Sequence, residues 1–388
     1  MSVPIRIFGS HEERTIAQLE RCTQAGPATR AVLCADGHLG YSHPIGGAIA
    51  YEDAISPSGV GYDIGCGNKA VRTAIQAADL DVARVMDEIY ERVSFGMGRE
   101  NAEPVDHPVL DRIREADFTP QRALLDLAAT QLGTVGAGNH YVDLFADEED
   151  RVWVGVHFGS RGFGHKTASG FMGGDRGMDA PPTLLSTDSD LGQAYIAAMT
   201  LAGAYAYAGR DVVVGKVLEI LGADALEEVH NHHNFAWLEE HDGRKVWVVR
   251  KGCTPAFPGQ RGFVGSSMGE PSVILEGVDS ADSAEALYST IHGAGRAMSR
   301  NKAAGRWRKR DGKRVRVGGA IDFGAVTREL ADAGIELRGG AADEAPAAYK
   351  RLARVLADQG EQTIRVTHEL RPLGVAMAAA DTFDPFKD

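Results

Sequence analysis

The sequence predicts a mixed α/β (α+β) fold in a single domain that covers residues 1–388. Stretches with the alternation of strands and stretches with the spacing of helices follow one another without a regular β–α–β rhythm, which argues against a Rossmann fold or a TIM barrel. No repeat of fixed period and no Pro/Ser linker divides the chain. Its 388 residues, 44% of them hydrophobic, are ample for a large core.

The first 75 residues are predicted to combine short strands with one helix and glycine-rich loops. The predicted strands are 5–8, 31–34 and 70–73, and the predicted helix is 12–22. Helical spacing then predicts helices over 80–93, 120–131 and 190–221. The last of these has acidic residues at its start and Gly222 after its end, in agreement with the rules for helix dipoles and caps.

Several predicted strands carry a polar residue or a glycine-rich loop at one end. In 151–157 the alternation places Val152, Val154 and Val156 on one face, and Trp153 and His157 on the other. Similar patterns predict strands over 141–144, directly after His140, and over 245–251, after a hairpin-like turn at 241–243. Segment 263–275 interrupts two apolar strands with a Gly/Ser loop, whose amides and hydroxyls can hold phosphate.

Four histidine-containing segments in glycine-rich or turn-forming surroundings indicate a metal site; they are 136–143, 156–165, 229–237 and 291–296. The run 61–67 adds Asp63 and Cys66, which a tight turn can direct at one ion. A carboxylate, a thiolate and imidazoles together suit Mn²⁺, Zn²⁺, Fe²⁺ or Co²⁺, whereas Mg²⁺ and Ca²⁺ prefer oxygen. For each residue alone, a structural Cys, a turn-forming Asp or a hydrogen-bonded His is the alternative, so the hypothesis depends on their co-occurrence.

Two of these segments leave the role of their histidines open. Spacing does not say which of His230, His232 and His233 would face a metal, and the neighbouring Asn234 is suited to orient or bind a ligand. In segment 291–296, His292 precedes a flexible Gly-Ala-Gly backbone and an arginine. It is a candidate metal ligand, general base or nucleophile, and a turn with an incidental histidine is the alternative. The chain has neither a P-loop motif nor an H-E-x-x-H motif.

The distribution of charge points to a polyanionic partner. The net charge of −13 argues at first against nucleic acid. A basic stretch nevertheless follows His292 directly, and a solvated helix and hairpin with excess charge is the alternative interpretation. Its ten Lys or Arg residues, against the single acid Asp311, are Arg296, Arg300, Lys302, Arg306, Arg308, Lys309, Arg310, Lys313, Arg314 and Arg316.

The compartment expected from the sequence is the cytoplasm. The N-terminal region has no signal-peptide pattern, and no apolar run is long enough to span a bilayer, so no membrane association is expected. The four cysteines, Cys22, Cys34, Cys66 and Cys253, form no C-x-x-C pair. They therefore indicate neither a disulfide framework nor a zinc ribbon.

Seven ordered motifs resemble those of the RtcB family of RNA-splicing ligases. They are DIGCG (63–67), GAGNHYVD (136–143), HFGSRGFGH (157–165), HHNFAWLEEH (232–241), RKGCTPAF (250–257), GSSMGEPS (265–272) and HGAGRAMSRNKA (292–303). The resemblance extends from segment 36–40 to segment 371–375 and thus covers nearly the whole chain. It implies a single-domain fold in which β-sheets flanked by helices surround a cleft with two Mn²⁺ ions.

The resemblance also implies a role for each matching residue. Asp63, Cys66 and His140 would hold one Mn²⁺ ion, and Cys66, His157 and His233 the other, with the Cys66 thiolate as the bridge. His292 would attack GTP and carry GMP through a phosphoramidate bond. The implied nucleotide-binding residues are Asn139, His140, Tyr141, Val142, Asp143, His233, Asn234, Gly265, Ser266, Ser267, Met268, Ser272, His292, Gly293, Ala294 and Gly295. The implied contacts to RNA phosphates are Arg161, Lys251, Arg296 and Arg300.

The implied activity is ligation of RNA ends in tRNA splicing or RNA repair. Family members convert a 2′,3′-cyclic phosphate to a 3′-phosphate, transfer GMP from the histidine onto it and let a 5′-hydroxyl displace the GMP. The expected partner is therefore RNA with these ends, with an archease-like activator as a further candidate and a monomer as the expected state. The alternatives are a divergent paralogue that caps or hydrolyses 3′-phosphate ends and a non-catalytic RNA-binding protein.

Two positions depart from the family pattern. Met377 stands where the family has a Lys that contacts guanine, and Asp143 stands where a Glu is common. A tail follows Met377 and contains Lys387, which could replace the missing group by folding back. Both departures affect the expected fit of the nucleotide base rather than the metal chemistry.

Overall fold

The computed structural model describes residues 3–173, 177–310 and 313–379, and only the backbone of residues 310 and 313–315. The helices are α1 Glu13–Gln24, α2 Pro57–Val60, α3 Val82–Arg92, α4 Pro108–Arg114, α5 Thr119–Arg122, α6 Leu125–Gln131, α7 Arg161–Met172, α8 Asp190–Leu221, α9 Ala281–Glu285, α10 Arg300–Ala304, α11 Phe323–Asp332 and α12 Leu352–Gln359. Short 3₁₀ helices occupy Ala77–Asp79, Ala342–Glu344 and Pro346–Ala348. In this described part, no helix is both long and apolar enough to cross a membrane.

Strands of very different length alternate irregularly with these helices. They are β1 Ile5–Ile7, β2 Ala28–His38, β3 Ile45–Tyr51, β4 Ala54–Ile55, β5 Gly67–Gln76, β6 Tyr141–Ala146, β7 Arg151–Phe158, β8 Leu185–Ser186, β9 Glu227–His232, β10 Asn234–His241, β11 Arg244–Lys251, β12 Cys253–Pro255, β13 Arg261–Val264, β14 Ser272–Gly277, β15 Ser289–Ile291, β16 Arg306–Arg310, β17 Lys313–Val317, β18 Glu336–Gly340 and β19 Ile364–Ala379. The predicted mixed α/β class is confirmed. The extent of one domain over 1–388 stays a prediction.

Two larger sheets organise the strands. One has the order β1-β2-β3-β11-β10, and the other has the order β13-β14-β19-β6-β7-β5-β9 with β18 added beside β19. In the second sheet, β5 pairs antiparallel with both β7 and β9, and β6 pairs antiparallel with β7. The ends of these four strands therefore lie side by side, which gathers residues that are far apart in the sequence.

The two faces of β7 show why the alternating pattern was informative. Val152, Val154 and Val156 are fully buried in a core shared with α3 and α8, whereas Trp153 packs on the other side among Phe145 and other apolar residues. His157 follows on the Trp153 side, as predicted. The buried valines hold the strand in register, so the histidine at its end has a fixed position.

The helix predicted over 190–221 is confirmed as α8. Ser189 caps its first turn by accepting a hydrogen bond from the Gly192 backbone N–H, and Gly222 ends it with a left-handed φ of 62°. By contrast, the single helix predicted over 120–131 is wrong, because α5 and α6 are separate. Leu124, with φ −94° and ψ 8°, leaves helical geometry between them. Gln121 of α5 is fixed independently by donating to the Ala198 carbonyl of α8 at 2.8 Å.

Other predicted elements have correct positions but short bounds. The strand predicted over 31–34 extends to 28–38, because its pairing with β3 continues on both sides. The Gly/Ser interruption predicted within 263–275 is confirmed, since β13 ends at residue 264 and β14 begins at residue 272. The basic stretch after His292 forms the short helix α10 and a two-stranded ribbon of β16 and β17.

Candidate dimetal and nucleotide site

The five predicted metal ligands come together in the structure. Sγ of Cys66 lies 3.3 Å from Nε2 of His157 and 3.8 Å from Nε2 of His140. Nε2 of His140 lies 3.1 Å from Oδ2 of Asp63, and Nε2 of His157 lies 3.4 Å from Nε2 of His233. The donors form two overlapping triads, Asp63–Cys66–His140 and Cys66–His157–His233, each with all its donor atoms within 4.8 Å of one another. Cys66 belongs to both triads.

Strand pairing explains this convergence. Cys66 directly precedes β5, whose first residue, Gly67, pairs with Phe158 of β7 and with His232 of β9. His157 and His233 are the chain neighbours of those two partners, so both lie beside Cys66. His140 directly precedes β6, which pairs Tyr141 with His157. Asp63 is held one turn away, because its carbonyl accepts from the Cys66 N–H at 3.0 Å.

The protonation states of these donors fit a divalent cation. Nδ1 of His157 donates to the Asn139 carbonyl at 2.9 Å, which leaves the Nε2 lone pair facing Cys66. Burial lowers the pKa of His157 to about 3 and lowers the pKa of His233 well below its usual value, so both imidazoles are neutral. Burial and the neighbouring Asp63 raise the pKa of Cys66. A bound divalent ion favours the thiolate that this thiol would otherwise resist forming.

His292 lies beside the second triad and is held by a buried carboxylate. Its ring centroid is 4.9 Å from that of His233, and its Nδ1 is 2.6 Å from Oδ2 of Asp36. The same carboxylate oxygen accepts from the backbone N–H groups of His292 at 2.9 Å and Gly293 at 3.3 Å. Burial by itself would raise the pKa of Asp36, but the charge and hydrogen bonds of His292 outweigh burial and lower it. Asp36 is therefore an anion that orients the His292 ring.

Glycine is required on the other side of His292. Gly252 has a left-handed φ of 63°, and a Cβ there would lie 3.0 Å from Cε1 of His292 and 2.5 Å from Cγ2 of Ile45. The side chain of any other residue would push the imidazole away from Asp36. Asn234 fixes this glycine, because its Oδ1 accepts from the Gly252 N–H at 2.7 Å.

A cavity of about 150 Å³ opens beside His157 and His292. The predicted site residues that line it are Asn139, Tyr141, Asp143, His157, Gly265, Ser266, Ser267, Met268, His292, Gly293, Ala294, Gly295, Arg296 and Arg300, and Met377 lines it as well.

Several polar groups of the cavity wall have no hydrogen-bond partner within the described residues. They are the Tyr141 hydroxyl, Oδ1 of Asp143 and the hydroxyls of Ser266 and Ser267, all of them buried. Buried polar groups usually have a partner, so these atoms indicate a polar ligand in the cavity. Burial raises the pKa of Asp143 well above its usual value, which favours the protonated carboxyl, a form that can donate a hydrogen bond.

Some residues of the predicted nucleotide set do not line the cavity. Val142 points to the opposite face of β6 and is fully buried in the core with Val156. Ser272 supports the loop from behind, because its Oγ accepts from the Ser266 N–H at 3.0 Å. Asn234 supports Gly252 as described above, and His140 and His233 lie in the two triads rather than on the cavity wall.

The four predicted RNA-binding cations lie in three different places. Arg296 and Arg300 line the cavity, where both form ion pairs with Glu344 and Arg300 also pairs with Asp343. Arg161 donates to the Thr134 hydroxyl and the Gly96 carbonyl near the first triad. Lys251 lines a smaller neighbouring pocket and donates to the Tyr41 carbonyl at 2.7 Å and the Ser58 carbonyl at 3.3 Å.

The ribbon of β16 and β17 presents unpaired positive charge near the cavity. Four residues of β16 and three of β17 are Lys or Arg, and these two strands pair only with each other in the described sheets. Arg306, Arg308 and Lys309 are exposed and form no ion pair with a described residue. Arg316 lies over the Trp307 ring at 5.0 Å and lies 3.8 Å from Oδ2 of Asp343, which connects the ribbon to the cavity wall.

Sequence reasoning missed several residues of the site. Asp36 was noted only as the start of a resemblance, and its contact with His292 spans 256 positions, for which no local pattern exists. Arg210 of α8 contacts two backbone carbonyls and Nδ1 of His232 behind the metal ligands at 2.6–3.0 Å. In the sequence it stands in an ordinary helical pattern. His38, Glu344, Tyr349 and Val375 also line the cavity without having been singled out.

The fold and the site together define a mixed α/β protein with a candidate dimetal centre at the end of a polar cavity. The chain belongs to the RtcB family, since the family model described as "tRNA-splicing ligase RtcB" matches residues 16–119 and 110–378. It is 32% identical to the RNA-splicing ligase RtcB of Escherichia coli K12, over 87% of each chain. It is 30% identical to the tRNA-splicing ligase RtcB of Thermococcus kodakarensis and 31% to that of Archaeoglobus fulgidus, in both cases over 97% of this chain and 95% of the relative. The resemblance inferred from the motifs is confirmed.

Proposed function

We propose that this protein is a GTP- and Mn²⁺-dependent RNA ligase that joins 3′-phosphate or 2′,3′-cyclic phosphate ends to 5′-hydroxyl ends through a guanylylated His292. The observation that carries the proposal is the position of His292, between the carboxylate of Asp36 and the Cys66–His157–His233 triad, on the wall of a polar cavity. The printed names of the relatives, which call them RNA- or tRNA-splicing ligases, support RNA as the substrate.

Nε2 of His292 is the nitrogen suited to attack. The Asp36 carboxylate lies 2.6 Å from Nδ1 and would favour the proton on that nitrogen, which would leave the lone pair on Nε2. In the first step Nε2 forms a bond to the α-phosphorus of GTP, the bond from that phosphorus to the bridging oxygen breaks, and pyrophosphate leaves. The cationic imidazole of the product is stabilised by the Asp36 anion.

The RNA steps use the same cavity. After a cyclic end has been opened by water, an oxygen of the RNA 3′-phosphate attacks the guanylyl phosphorus, and the bond to Nε2 of His292 breaks. The 5′-hydroxyl of the second RNA then attacks the 3′-phosphorus, loses its proton and displaces GMP. The exposed cations of the ribbon, the half-buried Arg161 and the buried Lys251 provide positive charge around the phosphates.

Asp63, Cys66 and His140 would hold one Mn²⁺ ion, and Cys66, His157 and His233 the other. Bound there, the cations would supply charge neutralisation for the phosphates. The buried Ser266 and Ser267 hydroxyls, the Tyr141 hydroxyl and the Asp143 carboxyl would satisfy their free hydrogen-bonding capacity on the nucleotide. Cytoplasmic location, a monomeric state and an archease-like activator remain predictions of the proposal.

A second candidate is a paralogue that caps or hydrolyses 3′-phosphate ends without joining them. Met377 favours it, because an apolar side chain lines the cavity where the family pattern has a Lys for guanine. A purely RNA-binding protein is disfavoured by the assembled triads and the Asp36–His292 pair, since binding alone requires neither.

Mass spectrometry after incubation with GTP and Mn²⁺ tests the proposal. We expect one guanylyl group on His292, lost in His292→Ala and retained in the matched control His368→Ala, whose ring lies away from the cavity against Glu148. Addition of RNA with a 3′-phosphate and a 5′-hydroxyl should then yield joined RNA. Capped RNA without joining would select the second candidate. No label on the intact, metal-loaded protein would refute both joining and capping.

A further inference from the structure

Arg210 is a buried cation behind the metal-ligand triads. It lies in the long helix α8, and its relative exposure is 0%. No carboxylate among the described residues lies within ion-pair distance of its guanidinium. Burial of a charge without a counter-ion is costly, and an apolar side chain could fill the same space. The position therefore calls for an explanation beyond packing.

The contacts of Arg210 have a common pattern. Its Nη1 donates to the Gly65 carbonyl at 2.9 Å and to the Phe158 carbonyl at 2.6 Å, and its Nη2 lies 3.0 Å from Nδ1 of His232. Gly65 directly precedes Cys66, Phe158 directly follows His157, and His232 directly precedes His233. One guanidinium thus contacts a chain neighbour of every ligand in the Cys66–His157–His233 triad.

The geometry of the guanidinium suits this task. Its donors are fixed in one plane, so the acceptors that bind it are held at defined relative positions. Nε donates to Nε2 of His230 at 2.8 Å, which fixes the plane from the opposite side. The loop before Cys66 is also pressed onto α8, because a Cβ on Gly65, whose φ is 70°, would lie 3.1 Å from Cα of Gly203. Helix α8 therefore serves as the rigid support of the triad.

We propose that Arg210 is a positioning residue that sets the separation of Cys66, His157 and His233 by holding the chain neighbours of all three. The proposal rests on the metal site of the proposed function. Arg210 does not reach the ligand atoms of the first triad's Asp63 or His140 through any of these contacts. Its loss should therefore act mainly on the ion held by Cys66, His157 and His233.

Mn²⁺ binding to the purified full chain tests this inference. Free Mn²⁺ is measured by electron paramagnetic resonance during titration of wild type, Arg210→Lys and Arg210→Gln. A Lys at position 210 keeps the charge but can replace only part of the planar contact. A Gln carries no charge, so it provides a second variant that tolerates burial if the Lys variant does not fold. We expect two ions in wild type, and in each folded variant one ion bound about 10- to 100-fold more weakly, as for other residues that orient metal ligands.

Arg250→Lys is the matched control. Arg250 is equally buried, but it contacts Glu239, Ser289 and the Leu287 carbonyl, none of them a neighbour of a metal ligand. It should lose thermal stability and keep both Mn²⁺ affinities. Wild-type binding of both ions by a folded Arg210 variant would overturn the inference, as would equal weakening in the Arg250 control.

The outcome is separable from that of the proposed function. If wild type binds two Mn²⁺ ions, the Arg210 variants weaken one of them and wild type takes no label from GTP, the positioning role stands and the ligase proposal fails. If wild type is guanylylated and the Arg210 variants bind both ions normally, the ligase proposal stands and the positioning role fails. If wild type binds no ion, both fail.

Discussion

Asp36 and His292 form a pair across 256 positions of the chain, with 2.6 Å between Oδ2 and Nδ1. The carboxylate also accepts two backbone N–H groups, so it fixes both the ring and the loop that carries it. We expect Asp36→Asn to fold and to slow the guanylylation of His292 by roughly 10²- to 10⁴-fold, because an amide can stabilise neither the reactive tautomer nor the cationic product.

Transfer of label from α-labelled GTP to the protein would measure this effect. The surface variant Asp242→Asn serves as the control, since Asp242 is exposed in the turn between β10 and β11. Labelling of Asp36→Asn at the wild-type rate would show that the contact is only structural.

Cys66 is the one residue shared by the two triads, so its loss should affect both ions. We expect Cys66→Ala to lose tight binding of both Mn²⁺ ions and to lose ligation. Cys22→Ala is the control for metal binding, because Cys22 is also buried but contacts the Ser42 carbonyl and no metal ligand. Metal analysis after gel filtration, together with a joining assay, would check this. Near-normal metal content and joining in Cys66→Ala would disprove the bridging role.

The ribbon should determine the salt dependence of RNA binding. Replacing Arg306, Arg308 and Lys309 with Gln should weaken binding and reduce the slope of log affinity against log salt by about 2, given roughly 0.7 counterions released per phosphate contact. Fluorescence anisotropy at several salt concentrations measures the slope. The control replaces three exposed cations elsewhere, Arg112, Arg122 and Lys245. Equal slopes in the two triple variants would assign the ribbon to ordinary solvation.

Met377 should weaken the choice between GTP and ATP. Its side chain lines the cavity and is only 5% exposed, and it pairs with Tyr141, two pairs away from Asp143. Loss of a charged hydrogen bond costs about 1.5–3 kcal/mol, or roughly one to two decades in affinity. We expect Met377→Lys to raise the preference for GTP, measured by competitive labelling with α-labelled GTP and ATP.

The segment after Met377 could supply the guanine contact instead of residue 377. Lys387, the alternative donor to guanine, lies outside the described residues. Strict GTP labelling in wild type that disappears when residues 380–388 are removed would show that the tail supplies the guanine contact. Met377→Leu, which stays apolar, is the control for the lysine substitution.

Lys251 should make RNA binding sensitive to pH. Burial lowers its pKa to about 8, so it is charged at pH 7 and largely neutral at pH 9. If it contacts an RNA phosphate, affinity should fall roughly tenfold or more between these values, whereas Lys251→Arg should keep its charge and its affinity. Because the unfolded chain binds this proton up to a higher pH, the stability contribution of Lys251 should rise with pH above about 8. An identical pH profile for Lys251→Arg would exclude the contact.

The sequence predicted those parts of the fold that depend on local patterns. The bounds of α8 followed from its spacing, the acidic residues at its start and Gly222. The two faces of β7 followed from strict alternation. The break between α5 and α6 was not predicted, because the apolar spacing of 120–131 continues across Leu124, where the backbone leaves helical geometry.

The candidate site divides in the same way. Asp63, Cys66, His140, His157 and His233 are found in recognisable motifs, and the structure brings all five together. Asp36 and Arg210 act through contacts that strand pairing creates over long sequence separations. Val142 belongs to a motif, yet its side chain faces the core, because alternate residues of β6 point to opposite faces.

The place of β19 in its sheet has a consequence for biosynthesis. It is the last strand of the described chain, yet it lies inside the sheet, between β14 and β6. The Gly/Ser loop of the cavity precedes β14, and β6 lies beside the strands that carry the metal ligands. Until the ribosome has released β19, the two halves of the sheet have no strand to join them. The nascent chain can therefore gather its metal ligands early, but it can form the complete nucleotide cavity only after β19 has left the ribosome.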